Sequence, residues 1–409
     1  MRAVTLAGSR DARIFTVNVT VFLASRLLRR RGSALLRTSA LAAMLAVSLG
    51  AAAMVVALAL MSGYAEALRA GVLASGGHVV VLYPGGLPSA AVGGVTARLA
   101  GLPGVERVGE VSYLPGMLFP RAGQDAEVVS VRANAEFPRF IHLRPGDRPG
   151  ALALAIGSGV ARRLGLVVGN QLTLEVVAGG QPRSVLVRVA QVFATGFTEL
   201  DERWVVADLA ALRRRIPAMP FGGLEMFLHD PDRAVELRQE VEAVAGQGAL
   251  VTTWQEGNRN LFAALRWQKL SLGLVLSLVL GVGAFEVASA LVVLVTEKRR
   301  EMGVLLALGI RPRMLRRTLL LAGGGLGGVG ALVGLALGIV VILVLGILGV
   351  PHFSPEIASI YMVDRIPFRI VPGDLALVAA LSLAEVLLAA SLPAHRTARR
   401  EPVEVLRWV

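Results

Sequence analysis

The 409-residue sequence contains no cysteine, which excludes both a disulfide framework and a thiolate metal site. No G-x-x-x-x-G-K-[ST] occurs, so the chain does not cradle a nucleoside triphosphate in a P-loop. The five histidines never fall into H-E-x-x-H, and there is no G-x-S-x-G. Gly323, Gly325 and Gly328 formally satisfy G-x-G-x-x-G, but they lie inside an apolar run instead of between a strand and a helix. Scattered carboxylates such as Asp201 and Glu202 read as solvated loop charges. Nothing in the sequence points to catalysis.

Long apolar runs are present instead. Leu41–Met61, Leu270–Val295, Leu319–Val350 and Leu375–Ala394 are each long and apolar enough to span a bilayer. An apolar fraction of 55% and a mean hydropathy of +0.65 agree with a membrane protein. The net charge of +13 is confined to three short segments that flank these runs. The tail up to Arg37 has eight Arg against one Asp. Glu297–Arg317 has seven basic residues against two acidic, and the tail after Ala394 has four against two. Such clusters can mark nucleic-acid binding, but their position beside the spans makes topology the better account, with no nucleic-acid partner.

Lys and Arg beside spans are retained in the cytoplasm. The expected order is a cytoplasmic tail (1–37), first span (38–61), large extracytoplasmic domain (62–269), second span (270–296) and cytoplasmic loop (297–318). A third span (319–350), an outer loop (351–374), a fourth span (375–394) and a cytoplasmic tail (395–409) follow. Both termini are expected inside. The length of the first run, and the roughly 40 residues before it, favour an uncleaved anchor over a signal peptide. Val21–Leu36 reads as an amphipathic helix on the inner leaflet, or simply as the basic flank of span one. The expected fold class is thus a polytopic α-helical membrane protein with four transmembrane helices. A large mixed α/β extracytoplasmic domain is inserted between helices 1 and 2.

Within that domain, short runs rich in Val, Leu and Thr predict strands at His78–Tyr83, Glu127–Ala133, Gln171–Val177, Ser184–Phe193, Arg203–Val206, Leu224–His229 and Ala249–Trp254. Helices are expected at Val160–Leu164, Asp208–Arg215 and Arg233–Val244, the last announced by Asp230-Pro231-Asp232. The domain's length suggests two lobes. Asn258–Gln268 has no Gly or Pro and is expected to run helically into span two. Gly330, Gly334 and Gly338 recur every four residues and predict close helix packing in lipid.

Two ionisable residues fall deep in spans: Glu286 in the second and Glu385 in the fourth. A charge there is expensive and usually faces a bundle interior, a wet cavity or a partner. The cytoplasmic loop is more specific. Glu297, Lys298, Arg299, Arg300 and Glu301 open a charged turn, and Met302, Leu305 and Leu306 then recur at i, i+3, i+4. Gly309 suits a C-cap, with Pro312 blocking continuation. Such a short amphipathic helix fits docking into a groove of a soluble partner, or lying on the membrane surface.

Here the chain resembles a known family. Leu291–Gly309 (LVVLVTEKRREMGVLLALG) is similar to the signature shared by lipoprotein-releasing (LolC/LolE), MacB-type and FtsX-type ABC transporter permeases. Gly50–Leu68, Ile156–Leu174, Trp254–Leu265, Arg365–Asp374 and Pro393–Arg407 resemble the corresponding parts, in the same order over nearly the full chain. Two departures stand out: Glu286 follows Phe285 where the family commonly has Asn, and Arg311-Pro312-Arg313 replaces small and polar residues. The resemblance implies a bacterial inner-membrane permease that binds no cofactor itself, with ATP and Mg on a separate ABC ATPase dimer (LolD-like). It also implies a second permease subunit, identical or paralogous, a lipoprotein substrate and a periplasmic carrier (LolA-like). Acyl chains would need an apolar path through membrane lipid, for which Met61, Tyr64, Phe262 and Leu265 at the adjoining span ends, with Glu286, are the candidates. Alternatives are an FtsX-type subunit that activates a cell-wall hydrolase and a MacB-type efflux permease.

Overall fold

The computed structural model describes residues 34–84, 89–120, 126–135, 141–143, 151–178, 180–195, 198–216, 222–348 and 366–398. The surface helix expected at Val21–Leu36 lies outside them but for its last three residues, as do most of the 351–374 loop and the final tail.

In chain order the elements begin with α1 (Ala34–Ser75), β1 (Val79–Leu82), α2 (Ser89–Ala100), β2 (Val105–Phe119) and β3 (Glu127–Asn134). Next come β4 (Leu152–Gly157), α3 (Ser158–Arg163), β5 (Gln171–Ala178), β6 (Gln181–Phe193), α4 (Thr198–Arg203) and β7 (Trp204–Asp208). Then follow α5 (Leu209–Arg215), β8 (Gly223–Leu228), α6 (Ala234–Ala245) and β9 (Leu250–Thr253). The chain closes with α7 (Arg259–Glu297), α8 (Arg299–Ala307), α9 (Pro312–Leu348) and α10 (Pro372–Ala398). Among the described residues four helices, α1, α7, α9 and α10, are long and apolar enough to cross a membrane. The protein is a four-span membrane protein with an α/β domain inserted between its first and second spans.

Two compact units result. The helical unit holds residues up to Gly63, Leu265 to the end of α9, and Phe368 onward; the α/β unit holds Tyr64–Ala264. At 1.5 Å per residue α1 and α7 are roughly 60 Å long, about twice the hydrocarbon thickness. Hydropathy therefore locates only the apolar part of each. α1 continues through Ala-, Leu-, Glu- and Arg-rich sequence until Gly76-Gly77 stops it. α7 starts at Arg259, one residue after the short helical turn Trp254–Gly257 that a Thr253–Glu256 capping box opens, so helical entry into span two is as expected.

The helical unit packs through glycine. A Cβ on Gly330 would lie 3.0 Å from the Met44 carbonyl oxygen, and one on Gly338 would lie 2.8 Å from Val55 Cβ. One on Gly334 would collide with the Ser48 carbonyl oxygen. All three contacts are with α1. Gly323 and Gly327 face the other way, onto Leu291, Ala390 and Val386 of α7 and α10. Ala43, Val47, Ala51, Leu280, Ala284, Ala331 and Val386 complete this small-residue core.

The α/β unit contains two folds joined by one strand. β1, α2, β2, β8, α6 and β9 form a βαββαβ lobe whose antiparallel sheet runs β2-β8-β1-β9, the ferredoxin-like arrangement. Val95 and Leu99 of α2 and Leu237 and Val241 of α6 cover it. Beyond Val111, β2 leaves β8 and pairs with β3 and β5. From there β3-β7-β4-β6-β5 returns to β2, closing a six-stranded barrel filled by Leu118, Val131, Leu154, Leu174 and Val187. The two lobes expected from length are thus two cores on a continuous ladder. Seven expected strands are present; β2 and β4 were not anticipated. Pro115 and Gly116 interrupt the β2 pattern, yet a Cβ at 116 would lie 2.8 Å from Val131 Cγ2, so the barrel interior needs a glycine there. β4 reads Leu-Ala-Leu-Ala-Ile-Gly and lacks the β-branched signal until its end.

Barrel and lobe are also tied by charge. Arg132 on β3 pairs with Glu225 on β8, both 1% exposed, and Tyr113 on β2 donates to the same carboxylate. Burial, then the adjacent Glu225 charge, pushes the Tyr113 phenol far above its ordinary pKa, although the residue as a whole is 41% exposed.

Gly334→Val should push α1 from α9 and lower stability by about 1–3 kcal/mol in detergent unfolding of the purified chain. Arg132→Met leaves Glu225 as an uncompensated buried charge and should cost about 3–5 kcal/mol by thermal or denaturant unfolding, whereas Arg163→Met on the exposed Glu127 pair should cost under about 1.

Candidate functional site

Three features of the helical unit bear on function: the short helix α8, the mid-span carboxylates, and a polar ring at the far end of the bundle from α8.

α8 forms where the charged turn predicts it. Lys298 separates it from α7 and pairs with Glu301 at 2.7 Å. Its end is a Schellman turn: Gly309 at φ 91° donates to the Leu306 carbonyl at 3.0 Å, and Ile310 to that of Leu305 at 3.1 Å. Pro312 then opens α9, its missing N–H falling where the first turn leaves donors unused.

The apolar stripe is not where docking requires it, which corrects the assignment of Met302 and Leu306 to partner contact. Met302 is buried against Leu315, Leu319 and Ala394, with Leu306 packed on the same cluster and Leu305 half-buried. A helix this short, joined to two spans by one residue at one end and a tight turn at the other, must seat its apolar side on its own bundle. The outward face carries Glu297, Arg300, Val304 and Leu308, the last three at i, i+4, i+8. Val304 and Leu308 are 55% and 77% exposed. Arg299 is half-buried and Arg300 exposed. The sequence signal was available, since two apolar residues lay off the stripe.

Glu286 is exposed on α7, next to the exposed Phe285. It shares with Glu385 the lining of a groove of about 790 Å³ between α7 and α10, walled by Val292, Leu388 and Leu392. Ser277 donates to Glu385 Oε1 at 2.7 Å. Glu385 Oε2 is buried without a hydrogen-bond partner among the described residues.

The other candidates for a substrate path are half-buried. Met61 and Leu265 belong to the helical unit, Tyr64 and Phe262 to the α/β unit. Phe262 meets Trp254 edge-on at 5.7 Å, so its packing has a local explanation. Trp254 in turn donates to the Pro231 carbonyl at 2.8 Å, and Arg69 pairs with Asp232 at 2.7 Å.

The polar ring was missed. Lys269 Nζ lies 2.8 Å from both carboxylate oxygens of Asp374 and 2.9 Å from Ser62 Oγ, while Ser62 donates to Asp374 Oδ2 at 2.8 Å. One residue comes from each of α1, α7 and α10. Taken singly, Lys269 and Asp374 looked like ordinary domain-edge charges.

The MacB-like periplasmic core domain matches residues 40–244, and the FtsX-like permease C-terminal domain matches residues 273–402. The lipoprotein-releasing system transmembrane protein LolC of Xylella fastidiosa is 26% identical over 415 residues, covering 95% of this chain and 99% of that protein. LolC of Neisseria meningitidis is 28% identical, covering 88% and 92%. LolE of Haemophilus influenzae is 26% identical, covering 62% and 64%. Among solved structures, the extracellular domain of the noncanonical ABC-type transporter YknZ is 14% identical with a TM-score of 0.30, over 43% of this chain and 99% of that one. That likeness is too low to support the fold by itself.

If α8 docks by its outward face, Val304→Asp with Leu308→Asp should abolish co-purification of the partner ATPase while leaving the chain's thermal stability unchanged. Met302→Asp should instead reduce stability first.

Proposed function

The chain belongs to the MacB–FtsX permease superfamily and is an ABC transporter permease, and from that premise we propose that it releases lipoproteins from the bacterial inner membrane. What carries this reading is the end-to-end match, 95% of this chain against 99% of its LolC relative. Spans, inserted domain and cytoplasmic helix therefore correspond as one unit and not as a shared fragment.

In this reading two permeases, this chain and an identical or paralogous partner, sit on two soluble ATPase subunits. Both termini and α8 face the cytoplasm, and the α/β domain faces the periplasm. ATP with Mg binds and is hydrolysed on the ATPases, since the permease has no phosphate-binding loop of its own. Nucleotide closure moves the ATPase surface against Arg300, Val304 and Leu308. Because Met302 anchors α8 to Leu315 and Leu319, the displacement passes into α7 and α9 together. α7 and α1 both continue as helix into the α/β domain, which hands the extracted lipoprotein to a periplasmic carrier. The groove at Glu286 and Glu385 and the apolar positions Met61 and Leu265 are the intramembrane surfaces available to acyl chains.

Depletion of the protein followed by membrane fractionation of labelled lipoproteins tests the reading. Outer-membrane lipoproteins should accumulate in the inner membrane, and a copy with Arg300→Glu should fail to rescue. Normal sorting would remove the lipoprotein assignment and favour hydrolase activation or efflux, read as a cell-separation defect or as drug sensitivity.

A further inference from the structure

Two of the contacts that hold the four long helices differ in kind. α9 meets α1, α7 and α10 through glycines at which an added Cβ would crowd the facing helix. At the bundle end away from α8, in contrast, α1, α7 and α10 meet through the Ser62–Lys269–Asp374 ring. Resting on the permease reading, we propose that this ring is a latch, closed in the resting transporter and opened once in each ATP-driven cycle, with Lys269 as its positioning residue.

The chemistry suits a reversible tie. Every polar atom of the ring is used: Asp374 accepts from Lys269 and Ser62, and Ser62 both accepts and donates. Asp374 sits in the first turn of α10, where the helix dipole favours a negative charge. The backbone N–H of Arg369, just before α10, also bonds the Ala59 carbonyl of α1 at 3.0 Å, while Phe368 and Ile370 pack on the adjoining core. α10 is thereby strapped to α1 beside the ring. The ring is only partly buried, Lys269 being 35% and Asp374 17% exposed. Water can therefore replace its bonds when it opens, which a buried ion pair does not allow. The tie also stands on the right helices. A displacement entering α7 through α8 reaches Lys269 along unbroken helix, and α1 and α7 are the helices that continue toward the α/β domain.

The test uses the full chain assembled with its ATPase in nanodiscs. Lys269→Met and Asp374→Asn should raise basal ATP hydrolysis roughly five- to tenfold and lower cargo released per ATP by a similar factor. The exchange Lys269→Asp with Asp374→Lys should restore both. The absence of native cysteine allows a second arm. Ser62→Cys with Asp374→Cys, joined by a short thiol cross-linker, should stop turnover until cleaved, and the joining yield should fall when a non-hydrolysable ATP analogue is added. Unchanged hydrolysis in the cross-linked form, or variants that lose only thermal stability with cargo per ATP intact, would overturn the latch. Hydrolysis and joining yield do not depend on the cargo. If they follow the prediction while lipoproteins are not released, the latch stands and the lipoprotein reading falls.

Discussion

Helices in a bilayer gain little by hiding apolar side chains from one another, because lipid tails hide them as well. Association then depends on how closely backbones can approach; Gly50 and Gly283 let α1 and α7 meet, and α9 brings in the rest. Gly330, Gly334 and Gly338 admit α1 on one side; Gly323 and Gly327 admit α7 and α10 on the other. Any side chain at Gly334 meets the Ser48 carbonyl oxygen directly. α9 is therefore the fixed member around which the other spans are placed. Its start is fixed too, since the Gly309 turn and Pro312 set the angle at which α8 folds back onto Leu315 and Leu319.

The α/β unit solves a different problem. Without cysteine it relies on burial, and two separate cores do the work, one inside the barrel and one beneath α2 and α6. The β2 ladder, the Arg213–Glu110 ion pair and the Arg132–Glu225–Tyr113 cluster join them. A buried pair of this kind adds little net stability but penalises any arrangement that separates its members. Gly76 and Gly77, where α1 ends, leave room for that cluster: a Cβ at Gly77 would lie 2.7 Å from Glu225 Cβ.

Much of this was legible in the sequence. Apolar run length gave the four spans, and the glycine period gave the packing face of α9. Asp208 announced α5, whose first turn it caps, and Asp230 caps the 3-10 turn Pro231–Arg233 that leads into α6. What stayed hidden depended on three-dimensional adjacency. β2 carries Gly116 because neighbouring strands crowd it, a reason invisible along the chain. Met302 had the right period for docking, but periodicity shows that an apolar face exists, not what it faces. Lys269 and Asp374 stand 105 positions apart, and no local pattern links them.

The register of β2 makes the barrel a guest in the chain. Val111 pairs with Gly223 on one side and Asn134 on the other, so everything from Ser112 to Gly222 enters and leaves at a single point of the ferredoxin-like lobe. That lobe begins a few residues after α1 and ends a few residues before α7. Segments inserted where entry and exit lie close are tolerated without disturbing their host. The barrel can therefore be enlarged, reshaped or exchanged during divergence while the lobe that continues from α1 and leads into α7 stays as it is.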